Sequence, residues 1–493
     1  MIDARHPAGP AIPRFRPWAG MMAGTAATLT VLSWVRFFLA GRKLNLGTNW
    51  MPAGADIAVA ACFIAAIVVS WYALRRAVAA CGESGNQSRS EIWRIARFSF
   101  LLSLVAAPML PMMSDDIFSM MTYVDLAFGT GVNPYTMPWP GMAASSFSSD
   151  VYGRWMNGPC IYGPIELAWW SPGVLLSGGS LPMALALTKV AAALTAMGLV
   201  ALMASYCSRP DASASSTSMF ALMALSPIVW LEGGGQASNE LVPAFLLAAW
   251  LLTASRGRII PAAALLGLAV ASKLTMAVPA AMFAIYLLRP GNGSPARRLG
   301  DAALASLVMA GVVVAAYSMV WDGAQTILQP FTLPTGREPT NTLAEPFYVV
   351  ATELFHADKA AWMRIVGLVN LPILLGLVAA AAWLAWRAKD FRNLVASMAM
   401  IQMLIVTVGT PVFHPWYLLP CLVLSVELAN PAWRAWLFAA SSLVIVVDGS
   451  VLLPLGSAGR IIFTVLTCTV ACIVWLLHLR GRLSAIRAAA SAP

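Results

Sequence analysis

Apolar runs of about 20 residues, the length that carries a helix across the hydrocarbon core of a bilayer, recur along the chain between short polar breaks. They predict membrane spans at 20–40, 54–74, 95–112, 183–206, 218–233, 239–255, 259–272, 275–289, 300–321, 362–386, 392–410, 415–429, 432–453 and 459–479. A further apolar stretch, 161–180, is interrupted by Pro164, Pro172, Gly173, Gly178 and Gly179. Its apolar pattern alone does not say whether it crosses.

The polar positions decide that point. Basic residues in short loops mark the cytoplasmic face, and here they are Arg75, Arg76, Arg89 and Arg94, then Arg256 and Arg258, Arg289, Arg297 and Arg298, Arg387, Lys389 and Arg392, and finally Arg480, Arg482 and Arg487. All share one side only if a single crossing lies between 163 and 206, at 183–206. Segment 161–180 then becomes a re-entrant or surface-lying helix pair. The expectation is an all-α polytopic membrane protein, one transmembrane domain over 1–493 with about 12–14 crossings and both termini cytoplasmic. Two long segments fall outside: 113–182, carrying the re-entrant or juxtamembrane helices, and 322–361. The turns at 232–240, at Lys273 and at 410–416 join them there.

Composition agrees with this class. Hydrophobic residues make up 59% of the 493 and charged residues only 11%, against about 25% charged in an ordinary soluble domain. The net charge of +10 sits in the short loops, which excludes a nucleic-acid partner and leaves the lipid bilayer as the surroundings. Cys62, Cys207, Cys421, Cys468 and Cys472 lie in or beside apolar runs with no CxxC or metal-ligand spacing, so they read as packing residues. The run at 20–40 is too long for a signal-peptide core and lacks a convincing cleavage site, which makes it a first span.

Candidate chemistry lies on the outside segments. Ser114-Asp115-Asp116 places two adjacent carboxylates where a span opens into the first loop, the setting of a general base or equally of a solvated helix cap. Gly129 to Tyr135 reads GTGVNPY, a tight turn in which the proline restricts Asn133. Lys273 is an isolated ammonium in an apolar stretch and is expected to pair or to snorkel. Its partner could be a bound phosphate, Glu232 or Glu240.

The ordered set SDDIF, GTGVNPY, W…GPCIYGP, then LSPIVWLEGGGQASNELVPAF, LLGLAVASKLTMAVP and FHPWYLLP resembles the polyprenyl-phosphate-mannose-dependent mannosyltransferases of the glycosyltransferase C superfamily. Phe118, Ser119 and Met120 depart from the aromatic-arginine-aromatic of that pattern, and Ser238-Asn239-Glu240 stands where His-Asn-Asp is usual. The resemblance implies a glycosyltransferase C-like helical bundle with its active site on extracytoplasmic loops, in a bacterial inner membrane. It implies a polyprenyl-phosphate sugar donor and an inverting transfer of a hexose, mannose first among them, to a glycan or glycolipid acceptor. On it, Asp116 or Asp115 is the base, and the other carboxylate orients the acceptor or helps to hold a divalent cation, the one cofactor that comes into question. Lys273 and His414 become contacts for the donor phosphate, although His414 could also be a polar helix end. Asn133, Tyr135, Trp155, Tyr162, Glu232, Asn239, Glu240, Trp416 and Tyr417 become candidate contacts for sugar or acceptor, with Trp139 beside them. The aromatics among these could equally anchor helices at the interface. Arg337, Glu338, Asn341 and Glu345 of the second loop are marked by location alone. Residues 20–94 carry no motif and read as scaffold or as a docking site for a partner protein. The alternative class is a transporter or flippase using Lys273, Glu232 and Asp448 as its pathway.

Overall fold

The computed structural model describes residues 16–39, 53–83, 89–112, 114, 116–136, 141–148, 159–212, 214–291, 293–327, 342, 344–410, 412–431 and 433–438. These form helices α1 (Arg16–Leu39), α2 (Ala53–Glu83), α3 (Arg89–Ala106), α4 (Asp116–Val124), α5 (Pro164–Leu175), α6 (Leu181–Cys207), α7 (Ala214–Leu225) and α8 (Leu241–Ala254). They continue with α9 (Ile259–Ser272), α10 (Ala277–Leu288), α11 (Pro295–Ser318), α12 (Ala344–Val349), α13 (Lys359–Arg387), α14 (Phe391–Leu404) and α15 (Leu418–Leu424). No strand occurs among the described residues. Six helices there are long and apolar enough to cross a membrane: α1, α2, α6, α11, α13 and α14 with its extension to Gly409. Shorter apolar helices lie between them, and the chain is an all-α polytopic membrane protein. The spans expected at 432–453 and 459–479 fall, apart from 433–438, outside the described residues.

The span expected at 95–112 ends six residues early, at Ala106. Pro108 and Pro111 follow; proline has no N–H to donate and disfavours helix in the residue before it. An unwound segment in a membrane protein must find other partners for its peptide groups, and α1 supplies them. Thr30 Oγ1 donates to the Val105 carbonyl (2.9 Å), Trp34 Nε1 to the Pro108 carbonyl (3.0 Å) and Arg36 Nη1 to the Met112 carbonyl (3.2 Å), while Ser33 Oγ accepts from Leu110 N–H (3.0 Å). The first helix is therefore a splint for the strand of chain that leads into the aspartate pair.

Segment 161–180 forms one helix, α5, followed by a turn through Gly178 and Gly179 at φ 59° and 82°, where a helix pair was expected. Pro172 lies inside α5 without ending it, and at Gly173 α5 packs so closely on α6 that a β-carbon would lie 3.1 Å from Thr188 N. At 12 residues α5 is too short to cross a bilayer. In the core, α9 packs between α8 and α11, and α6 packs on α3, α5 and α8. That arrangement gathers the start of α4, the start of α8 and the end of α9 at one end of the bundle.

Candidate functional site

Four segments far apart in sequence meet through one chain of polar contacts. Asp116 opens α4, its N–H capped by Ser114 Oγ at 3.1 Å. Its Oδ2 accepts from Asn239 Nδ2 (3.0 Å), and Asn239 Oδ1 accepts from Lys273 Nζ (2.9 Å). Lys273 also forms an ion pair with Glu240 and lies 4.7 Å from the centre of the Tyr417 ring. A single asparagine amide thus ties the carboxylate of Asp116 to the ammonium of Lys273, its donor end on the first and its acceptor end on the second. The contact network accounts for the isolated lysine: of the two glutamates open as partners, Glu240 is the one it pairs with. Burial works against the ammonium charge, but Glu240 outweighs it and holds Lys273 above its ordinary pKa.

Local backbone explains how each side chain arrives. Asn239 and Glu240 sit between a π-helical turn, Ile228–Gly235, and α8. That turn is held from outside by Lys189 of α6, which donates to the Gly235 carbonyl. Gln236 beyond it accepts from Met112 N–H at 3.0 Å. Met112 is therefore clamped on both sides, by Gln236 at its N–H and by Arg36 at its carbonyl, four residues before Asp116 in the sequence. Lys273 follows α9 in extended conformation, φ −150° and ψ 126°.

The tip of α9 is fixed by the IYGP segment. Gly163 N–H donates to the Ser272 carbonyl at 2.9 Å, and a β-carbon on Gly163 would overlap the Ala271 carbonyl oxygen and lie 2.8 Å from that of Ser272. Its φ of −71° suits any residue, so the need for glycine here is space alone. Three residues on, the buried Glu166 accepts from Ser272 Oγ (2.8 Å) and Trp170 Nε1 (2.7 Å). Burial raises its pKa from 4.5 to about 8 against those hydrogen bonds and the pull of Lys273.

The other expected residues fall into two groups. Tyr162 is buried beside Asp116 and Asn239. His414 stacks on Trp416 (centroids 4.4 Å apart, planes 6° apart) and stands edge-on to Tyr417 at 5.5 Å, one ring removed from Lys273. Asn133 and Tyr135, by contrast, hold the loop together. Asn133 Nδ2 donates to the Val320 carbonyl (2.7 Å) and its Oδ1 accepts from Tyr135 N–H (2.9 Å). The fully buried Tyr135 donates to the Tyr162 carbonyl (2.7 Å). Thr136 donates to Asp322 at 2.6 Å, so the turn is pinned to the end of α11. Glu232 is fully buried within the π-helical turn. Asp115, Trp139, Trp155, Arg337, Glu338, Asn341 and Asp448 lie outside the described residues.

The sequence reading missed Glu166, Lys189 and the α1 splint. Thr30, Ser33 and Arg36 recur every third residue along an apolar helix, and that polar stripe was the available signal. No group of three or more His, Cys, Asp or Glu placed to hold a metal ion occurs among the described residues. Several polar atoms of the cluster are buried without a hydrogen-bond partner among those residues: Glu240 Oε2, Ser238 Oγ and Trp416 Nε1. Native proteins leave few such atoms unmatched, and a polar ligand is one thing that would match them.

Residues 18–289 match the family model described as alpha-(1->6)-mannopyranosyltransferase, N-terminal domain. The matched stretch contains Asp116, Asn239, Glu240 and Lys273, while His414 and Tyr417 lie beyond it. No curated protein and no solved structure matches the chain.

Proposed function

The chain belongs to the alpha-(1->6)-mannopyranosyltransferase family, and from that premise we propose that it moves mannose from a polyprenyl phosphate to a hydroxyl of a glycan or glycolipid, with inversion, at the extracytoplasmic face of a bacterial inner membrane. The observation that carries this reading is the relay Asp116–Asn239–Lys273–Glu240. It sets a carboxylate base and a cation one amide apart, which suits glycosyl transfer with a phosphate leaving group.

In the proposed reaction the acceptor hydroxyl attacks C1 of the sugar and gives its proton to Asp116. The C1–O bond to phosphate breaks, and the polyprenyl phosphate leaves with the electron pair. Lys273 stabilises the growing phosphate charge, exchanging part of its ion pair with Glu240 for the phosphate. Asn239 holds Asp116 in orientation, so that its second oxygen is left for the acceptor. Tyr417 and Trp416 offer ring faces for the sugar, and the Trp416 indole N–H and Glu240 Oε2 are matched by sugar hydroxyls. A prenyl tail can stay in the bilayer while its head group reaches the loops, which accounts for a protein that is nearly all membrane helix. Asp115 beside Asp116 orients the acceptor or shares a divalent cation with it. The family is one of enzymes, and no observation favours the transporter alternative.

The donor is tested by offering the purified full-length protein labelled mannose on polyprenyl phosphate and, separately, on a nucleotide diphosphate, with membrane glycolipid extract as acceptor. Transfer from the lipid-linked donor alone is expected. Transfer from the nucleotide donor alone would overturn the reading.

A further inference from the structure

At the other end of α9 from Lys273 the bundle holds a partly open pocket of about 620 Å³. Ile259, the first residue of α9, is in its wall, and 14 helical residues at about 1.5 Å each put it about 20 Å from Lys273. It is therefore separate from the candidate active site. Three guanidinium groups line it, from Arg209, Arg297 and Arg392, and so do the apolar side chains of Phe283, Leu287 and Phe391. Arg256, Arg258, Arg289, Arg298, Arg387 and Lys389 stand in the loops that bound this end, the set that marks it as the cytoplasmic face.

Two of the lining arginines converge on one anion. Arg209 Nε lies 3.2 Å from Asp211 Oδ1, and Arg392 Nη2 lies 3.5 Å from Asp211 Oδ2. The two cations are held differently from the acid between them. Arg209 is pressed on the ring of Tyr206 at 3.9 Å, and its side chain is only 15% exposed. Its Nη1 is buried with no hydrogen-bond acceptor among the described residues. Asp211 sits in the turn after α6 with its side chain 67% exposed, where an ion pair contributes little. Buried Glu427, which accepts from Tyr206 at 2.8 Å, faces both arginines from within, so the room for a further anion is at Arg209 Nη1 and at the exposed, readily displaced Asp211. Asp301 is taken up by Arg297 (3.5 Å), and Asp390 caps the N–H of Asn393 (2.8 Å), so neither cancels this pair.

We propose that this cavity binds the phosphate of an anionic phospholipid headgroup, which takes the place of Asp211 between Arg209 and Arg392. A phosphodiester, like the carboxylate it replaces, carries one negative charge and two free oxygens that accept N–H bonds, one toward each arginine. Basic pockets between membrane helices on the cytoplasmic side are where such headgroups are recognised. The apolar wall of Phe283, Leu287 and Phe391 receives the first carbons of the glycerol esters.

The test is native mass spectrometry of the full-length, delipidated protein titrated with phosphatidylglycerol, with diacylglycerol of the same chains, and with inorganic phosphate as competitor. One phosphatidylglycerol is expected to bind at least ten-fold more tightly than diacylglycerol. Arg392→Gln, a partly exposed position, should weaken it about ten-fold, and Asp211→Asn should tighten it several-fold by removing the competing anion. Equal binding of the two lipids, or phosphatidylglycerol binding unchanged in both variants, would overturn the proposal. Occupancy by inorganic phosphate at an affinity equal to that of the lipid would overturn the lipid assignment. None of these readouts depends on mannosyl transfer.

Discussion

The two ends of α9 both carry clusters of charge, and they are built on opposite terms. At the Lys273 end the charges are shielded, Glu240 being 4% and Lys273 18% exposed in their side chains. Each is tied to a different segment, so that α4, α8, α9 and the 414–417 turn share one network. At the Arg297 end each pair has an exposed member: Arg297 is 72% exposed and reaches Asp301 on the next turn of its own helix, and Asp211, shared by Arg209 and Arg392, is 67% exposed. A buried pair is costly to break and fixes geometry, whereas an exposed pair contributes little and can exchange partners. The first suits a site where atoms must be held for reaction, the second a site that trades one anion for another.

The sharpest way to break the contrast is to remove one partner at each end. Lys273→Met leaves Glu240 buried without its cation and is expected to destabilise the protein by about 3–5 kcal/mol, read as a fall in unfolding temperature in detergent. Combining it with Glu240→Gln should recover most of that stability and none of the transfer, separating the structural part of the pair from its chemistry. Gly163→Ala comes next. Its methyl group meets backbone at Ala271 and Ser272, so about 1–3 kcal/mol should be lost and transfer should fall with it, since the tip of α9 must move.

Glu166 sharpens the comparison through pH. Its carboxyl is held near 8 in the folded protein against 4.5 ordinarily, so the folded state binds the extra proton between those values. Stability is full below about pH 4.5 and falls as pH rises toward about 8, by at most about 1.4 kcal/mol per pH unit. Unfolding temperatures across that range should show the slope in wild type and lose it in Glu166→Gln. The smallest effect belongs to the other end: Arg297→Gln should change stability by under about 1 kcal/mol and leave mannosyl transfer as it was.

Much of the helical architecture was legible in the apolar runs because each membrane helix must satisfy its own backbone and present apolar side chains to lipid. The spans at 259–272 and 183–206 lie within two residues of α9 and α6. Motifs singled out Asp116, Asn239, Glu240, Lys273 and Tyr417, which the fold brings together. What composition and spacing could not show were partners set by packing. Glu166 lies in the apolar run PIELAWW, and its partner Ser272 is 106 residues away, so nothing local marks it. Asn133 and Tyr135 stood out through a turn motif, and a turn motif does not show that they pin the loop to Val320 and Tyr162. The end of α3 was misplaced by six residues because the partners that let it unwind belong to α1.

The central claim is that Asp116 is the base held by the Asn239–Lys273 relay. Mannosyl transfer from labelled polyprenyl-phosphate mannose, measured for wild type, Asp115→Asn and Asp116→Asn at matched unfolding temperatures, tests it most directly. A fall in kcat of about 10²–10⁴-fold in Asp116→Asn with donor KM little changed is the predicted result; transfer by Asp116→Asn at the wild-type rate would contradict it.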